Sequence, residues 1–265
     1  MAASSSAEIA AEVVRALEGG PRVLVATIIA APDAAAVGAK MLVRLDGSAL
    51  GSLWTAALDA AVLREARDTV RPHGVSTLYV NDAGELLSRQ QAAGACELML
   101  EVHERPARLV IVGGGHVGKA CSVIGEMCGF RVTVIDDRPE YANAGRFPEA
   151  EEVIRGHFDE VLVDYPIDET AYVVCVTRGH RHDETSLRCV IGRGAAYVGM
   201  IGSKRRAAAV LRHLVEDGAD PEAVAAVRTP IGIDIGAETP EEIAVAIMAE
   251  IIAVRRGAPL ARGGN

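Results

Sequence analysis

Aromatic residues make up only 3% of this 265-residue chain, with one Trp, three Phe and five Tyr. Half of the residues are apolar, so a sizeable core must come from Ala, Val, Ile and Leu. That composition suits helices packed on a parallel sheet, whose buried strands read as aliphatic runs. Positive charge is also scarce, because 27 Lys and Arg face 36 Asp and Glu for a net charge of −9. Binding a nucleic-acid backbone needs clustered cations, and the nearest approach to a cluster is Lys204-Arg205-Arg206. A nucleic-acid partner is therefore excluded. The five cysteines stand at 96, 121, 128, 175 and 189, with no CxxC pair. An odd total without that spacing fits free thiols in a reducing cytosol, not a disulfide framework or a zinc site. The most apolar helical segment, Ile243 to Val254, is interrupted by Glu250 and is much shorter than the ~20 residues of a membrane span. The opening MAASSSAEIAAEVVRAL has neither the basic start nor the apolar core of a signal peptide. A soluble, cytoplasmic protein without a membrane partner is expected.

The length allows one large domain or two ordinary ones, and the pattern along the chain favours two. Ser6 precedes a helical pattern of Ile9, Val13, Val14 and Leu17 that stops at Gly19-Gly20-Pro21. Val23 to Ala30 and Lys40 to Leu45 read as strands, the second ending in Asp46-Gly47. Trp54 to Val70 has apolar residues at helical spacing, and Val75 to Val80 and Cys96 to His103 form a β-rich finish. A boundary at Glu104-Arg105-Pro106-Ala107 gives an α+β domain over 1–104 and a second domain over 105–265. After it, Arg108 to Val112, Arg131 to Asp136, Tyr172 to Thr177 and Ala196 to Met200 read as strands alternating with helices. The fold class expected is α/β, a C-terminal Rossmann-like doubly wound parallel sheet preceded by a smaller α+β domain.

Between the first strand and helix of that second domain lies Gly113-x-Gly115-x-x-Gly118. In such a fingerprint the first glycine permits the tight turn. The second lets backbone approach a pyrophosphate, and the third lets helix and strand pack closely. Asp136 follows Gly118 by 18 residues at the end of the next strand, where a carboxylate can accept the hydrogen bonds of a ribose diol. Cys121 and Cys128, seven apart, share one face of the helix and read as buried small side chains, not as a redox pair.

Two more segments fall where the carboxyl ends of parallel strands place ligands, and a third stands out further along the chain. Thr177 to Glu184 offers the Arg178 guanidinium for phosphate, the imidazoles of His180 and His182, and the Asp183 carboxylate. These read either as a polar loop with Asp183 capping a helix, or as metal ligands lacking a fourth member. Gly199 to Arg206 offers Ser203 as a helix cap, with amides and cations for an anion or simply a solvated helix start. In Thr229 to Glu242, Thr239 and Glu242 form a capping box with Pro240 at the first helical position. Gly232, Asp234 and Gly236 are not needed for that, and two glycines in an apolar loop suggest close backbone approach to something.

Taken in order, VIVGGGHVGKA, VIDDRPEYAN with RFPEA, TRGHRHDETSL, YVGMIGSKRR and TPIGIDIGAETPEEIAVAIMAEII resemble the XdhC/CoxI family across residues 108–256. VGAKMLVRLDGSALGS resembles that family's first domain. Where the family tends to carry a glycine-rich stretch, often with a cysteine, this chain reads Trp54-Thr55-Ala56-Ala57. Ala31-Pro32-Asp33-Ala34 likewise lacks the usual Gly-Ser and arginine.

The resemblance implies an accessory protein of molybdenum hydroxylases such as xanthine dehydrogenase and carbon monoxide dehydrogenase, with a chaperone role. Such proteins bind the molybdenum cofactor (molybdopterin, alone or as a dinucleotide), present it for sulfuration by a cysteine desulfurase, and help insert it into the apo-subunit of the hydroxylase. A homodimer is expected. The candidate cofactor-binding residues are Gly113, Gly115, His116, Gly118, Asp136, Asp137, Arg178, His180, Asp183 and Ser203, with no metal site assigned. NAD stays open as the alternative ligand, because its pyrophosphate and ribose suit the same fingerprint. A nicotinamide oxidoreductase would then need an acid–base residue, for which His180 is the candidate. It would also need a substrate domain larger than the ~100 residues available.

Overall fold

The computed structural model describes residues 6–68 and 75–259, so Val70, the expected end of the second helix, lies outside the described residues. The chain divides into two compact units, one up to Arg105 and one from Pro106. The first unit contains α1 (Ser6–Leu17), β1 (Val23–Ala30), β2 (Lys40–Arg44), β3 (Ala49–Gly51), α2 (Ala56–Asp68), β4 (Val75–Val80), β5 (Leu86–Leu87) and β6 (Cys96–His103). Its strands form an antiparallel sheet in the order β3-β2-β1-β6-β4-β5.

The strand period of two divides β1 between two cores. Leu24, Ala26 and Ile28 pack with Leu58, Ala61 and Val62 of α2. Val23 and Val25 pack with Ile9 and Ala16 of α1. Helix α2 starts two residues later than its apolar spacing suggests. The Asp59 carboxylate accepts from Ser52 Oγ at 2.8 Å and Leu53 N at 2.6 Å. Thr55 Oγ1 accepts from Leu58 N at 3.3 Å, and Trp54 takes a left-handed φ of 68°. These bonds pin a turn ahead of the helix and leave Trp54 exposed.

The second unit runs β7 (Arg108–Val112), α3 (His116–Met127), β8 (Arg131–Asp136), β9 (Glu152–Arg155), α4 (Phe158–Asp164), β10 (Ala171–Cys175), α5 (His180–Val190), β11 (Tyr197–Met200), α6 (Lys204–Glu216), α7 (Pro221–Ala225) and α8 (Pro240–Arg256). All five strands are parallel, in the order β11-β10-β7-β8-β9. Helices cover both faces, as a parallel sheet requires. Leu162, Leu187, Val210 and Leu214 of α4, α5 and α6 pack on one face. Cys121 of α3 and Ala244, Ile247 and Ile251 of α8 pack on the other. The doubly wound α/β fold is as the alternation implied.

Register aligns the carboxyl ends. Val112 pairs with Ile135 on one side and with Cys175 on the other, and Cys175 pairs with Met200. The loops leaving β7, β8, β10 and β11 therefore emerge at one rim. Beyond β11, Arg228 bridges Gly199 in the parallel sense, so the chain after α7 continues alongside the sheet.

Candidate functional site

The turn from β7 into α3 consists of Gly113, Gly114 and Gly115. Gly113 has a φ of 114°, and a Cβ there would stand 2.6 Å from the Val176 carbonyl oxygen beyond β10. Only glycine fits that combination. Gly118 is buried in the first turn of α3, where a Cβ would strike the Gly113 carbonyl oxygen. Gly115 is different. It caps α3 with no side chain, its φ is an ordinary −63°, and no atom lies within 4 Å of where its Cβ would be. The first amides of α3 have no acceptor within the helix, and the helix dipole favours an anion before them. His116, exposed at the first helical position, lines a groove of about 430 Å³ with Lys119, Arg146 and Val245.

Asp136 stands beside this turn, as its spacing suggested, but its carboxylate is not open to a ligand. It is only 1% exposed. Oδ2 accepts from Gly114 N at 2.8 Å and Arg138 Nη2 at 3.0 Å. Oδ1 accepts from Arg138 N at 3.0 Å and Arg138 Nε at 2.9 Å. Burial pushes this carboxyl up, yet the hydrogen bonds from the Arg138 side chain and from the amides of Arg138 and Gly114 outweigh it. The group is held below the ordinary carboxylate range. The Arg138 guanidinium lies 3.7 Å from the Tyr141 ring centroid.

Asp137 and Arg178, both candidate residues, are brought together. Arg178 donates to Asp137 from Nη1 at 3.1 Å and Nη2 at 2.8 Å. Asp183 is 2% exposed, and its Oδ1 accepts from Thr177 Oγ1 at 2.6 Å and Thr177 N at 3.3 Å. It holds the loop after β10 and does not cap α5, whose N-cap is Gly179. The His182 ring packs edge-on against Phe158 at 5.4 Å. His182 and Asp183 thus serve separate structural contacts, unlike a shared metal site. His180 opens α5, and its side chain lies outside the described residues. Ser203 caps α6, accepting from Arg206 N at 3.4 Å.

Two arginines that residue-by-residue reading passed over complete the rim. Arg138 follows the paired acids directly, and Arg146 lies in the RFPEA motif. Arg146 Nε donates to the Gly114 carbonyl oxygen at 3.0 Å, with its guanidinium 5.1 Å from the Tyr141 ring centroid. It has no ion-pair partner among the described residues. Close approach at Gly232 also has a partner, the backbone of α8. A Cβ there would stand 3.1 Å from Ala246 C and Ile247 N. Gly232 N donates to the buried Glu250 Oε2 at 2.6 Å, and Tyr197 OH donates to the same oxygen at 2.8 Å. Burial pushes the Tyr197 phenol upward, so it stays a donor.

A parallel sheet, helices on both faces and a glycine turn open at Gly115 define a Rossmann-type domain, which follows a small α+β domain in the chain. The family description "XdhC Rossmann domain" matches residues 109–251, and "XdhC and CoxI family" matches 16–80. The chain belongs to the XdhC family. It is 30% identical over 224 residues to "Uncharacterized protein YqeB" of Escherichia coli (strain K12), covering 83% of this chain and 41% of that protein. It is 31% identical over 153 residues to a probable xanthine dehydrogenase subunit of Bacillus subtilis (strain 168), covering 58% of this chain and 44% of that protein. The chain thus spans less than half the length of these two curated relatives. A crystal structure of a xanthine dehydrogenase from Bacillus halodurans superposes with a TM-score of 0.54 at 20% identity, covering 94% of this chain and 96% of that one. That likeness speaks to fold alone.

Proposed function

We propose that this chain binds the molybdenum cofactor and assists its sulfuration and insertion into a xanthine dehydrogenase-type molybdenum hydroxylase. The observation that carries the proposal is the open Gly115 at the start of α3, flanked by the Arg146 guanidinium, which has no ion-pair partner among the described residues. Phosphate is the group on the pterin cofactor that such a cradle suits. Gly115, His116 and Arg146 would hold it, with Gly113 and Gly118 shaping the turn. Asp136 would act through the Gly114 amide, and Asp137, Arg178, His180, Asp183 and Ser203 would belong to the surrounding rim. When bound, the cofactor supplies the molybdenum centre that the hydroxylase later uses, while this chain holds, orients and shields it.

Membership in the XdhC family and the xanthine dehydrogenase named in the Bacillus subtilis relative support an apo-hydroxylase partner. The thiols of Cys96, Cys121, Cys175 and Cys189 are all pushed up by burial, Cys121 to about 12. None of these four is a ready thiolate, and the sulfur donor in this proposal is a separate cysteine desulfurase. A homodimer remains the expected assembly.

A nicotinamide enzyme or sensor is the rival, and the filled acceptors of Asp136 count against it. The test is to purify the protein from a molybdopterin-producing host and identify the released pterin and nucleotide. About one pterin per chain is expected. Protein that carries NAD and no pterin overturns the proposal.

A further inference from the structure

A carboxylate offers about four lone-pair positions. Asp136 receives four hydrogen bonds, three of them from Arg138 and one from Gly114. Nothing remains for a ribose diol, which in a Rossmann site needs acceptors at this strand end. Access is closed as well, because Asp136 is only 1% exposed. The guanidinium that fills it is fixed twice, by the carboxylate and by the Tyr141 ring at 3.7 Å. A diol could enter only by breaking the ion pair of Arg138 with the buried Asp136, which its neutral hydroxyls cannot replace as a countercharge.

The phosphate side of the same crevice is provided for. Gly115 leaves room before the α3 amides, and Arg146 beside Gly114 lacks an ion-pair partner among the described residues. The site thus keeps the phosphate half of a dinucleotide cradle without the ribose half.

We propose that Arg138 is a specificity-determining residue that closes the ribose subsite, so that the glycine loop takes a phosphomonoester in preference to a dinucleotide. Resting on the cofactor reading above, this makes the preferred ligand molybdopterin with its terminal phosphate, not its cytidine dinucleotide. The Arg138 side chain sets the preference by occupying Asp136, and its removal reopens the subsite.

The test is a gain of binding, which a damaged fold cannot mimic. The full chain is titrated calorimetrically with NAD as wild type, as Arg138→Ala, and as the double variant Arg138→Ala with Asp136→Ala. Arg138→Ala should bind NAD at least tenfold more tightly than wild type, and the double variant should lose that gain. No gain, or a gain that survives in the double variant, overturns the closed subsite. In a second arm, wild-type protein is offered molybdopterin and molybdopterin cytosine dinucleotide released from purified enzymes. Binding is read as the fluorescent oxidised pterin. At least a tenfold preference for the phosphomonoester is expected, and equal or reversed affinity overturns the ligand assignment. If neither pterin form binds while Arg138→Ala still gains NAD, the cofactor reading falls and the closed subsite stands.

Discussion

Asp137 and Arg178 form a two-point ion pair, at 3.1 and 2.8 Å, that links the strands flanking β7. Asp137 directly follows β8 and Arg178 follows β10, so the pair ties together the loops on either side of the glycine turn. An incoming phosphate would compete with Asp137 for the same guanidinium. Arg178 is 42% exposed, and exposed pairs contribute less than ~1 kcal/mol. Arg178→Ala should therefore leave urea stability within ~1 kcal/mol of wild type while lowering the pterin retained after gel filtration several-fold. Full retention would place Arg178 outside the site.

Gly115 and Gly118 should respond oppositely to valine. A Cβ at Gly115 meets no atom within 4 Å, so Gly115→Val should fold, losing ~1 kcal/mol or less from a poorer cap, and should lose phosphate-ligand binding. Gly118→Val would drive a side chain into the Gly113 carbonyl and should cost ~1–3 kcal/mol or more. Melting curves and calorimetric titration of both variants check this. Unchanged ligand affinity in Gly115→Val would make the turn purely architectural.

Acid should loosen the crevice in a way that depends on Asp136. Its folded pKa lies below the ordinary value, about 3.9 for a free Asp. The stability it contributes is therefore fully present above that ordinary value and is lost as pH falls through the lower folded one. Asp136→Asn should be less stable than wild type at neutral pH, and the difference should shrink below pH ~4. Urea midpoints measured across pH 2–7 would show it, and a constant difference would mean that the Asp136 carboxyl titrates alike in the folded and unfolded chain.

Glu250→Ala should strand the buried Tyr197 OH at ~1–3 kcal/mol and also remove the acceptor of the half-buried Gly232 N. Glu250→Gln keeps an acceptor and should cost less. Equal urea midpoints for the two variants would show that the carboxylate contributes no acceptor function.

What was legible in the sequence follows from burial. Strands β7 and β10 are buried along nearly their whole length, so they appear as aliphatic runs between turn signals. β9 escaped notice because Glu152–Arg155 is an edge strand with charged, exposed ends, which carries no such run. α4 spans seven residues, too few to display a helical period. Within the site, glycine positions were readable because backbone geometry alone demands them. The occupant of Asp136 was not, since an arginine two residues away resembles any surface cation until its fold-back is seen. Asp183 likewise looked like a cap or a ligand, and only the tertiary path of Thr177 revealed its partner. Glu250 was visible as an interruption in an apolar helix, but the reason lay in Gly232, 18 residues away.

The segment running beside β11 has a consequence for how copies of this chain can meet. Arg228 N donates to the Val198 carbonyl oxygen, and Ile231 N donates to that of Met200. Between them Pro230 has no amide hydrogen to offer a further strand. That border of the sheet is thereby sealed by the protein's own backbone. Self-association on this side must proceed through side-chain surfaces, and no continuous intermolecular sheet can grow from it.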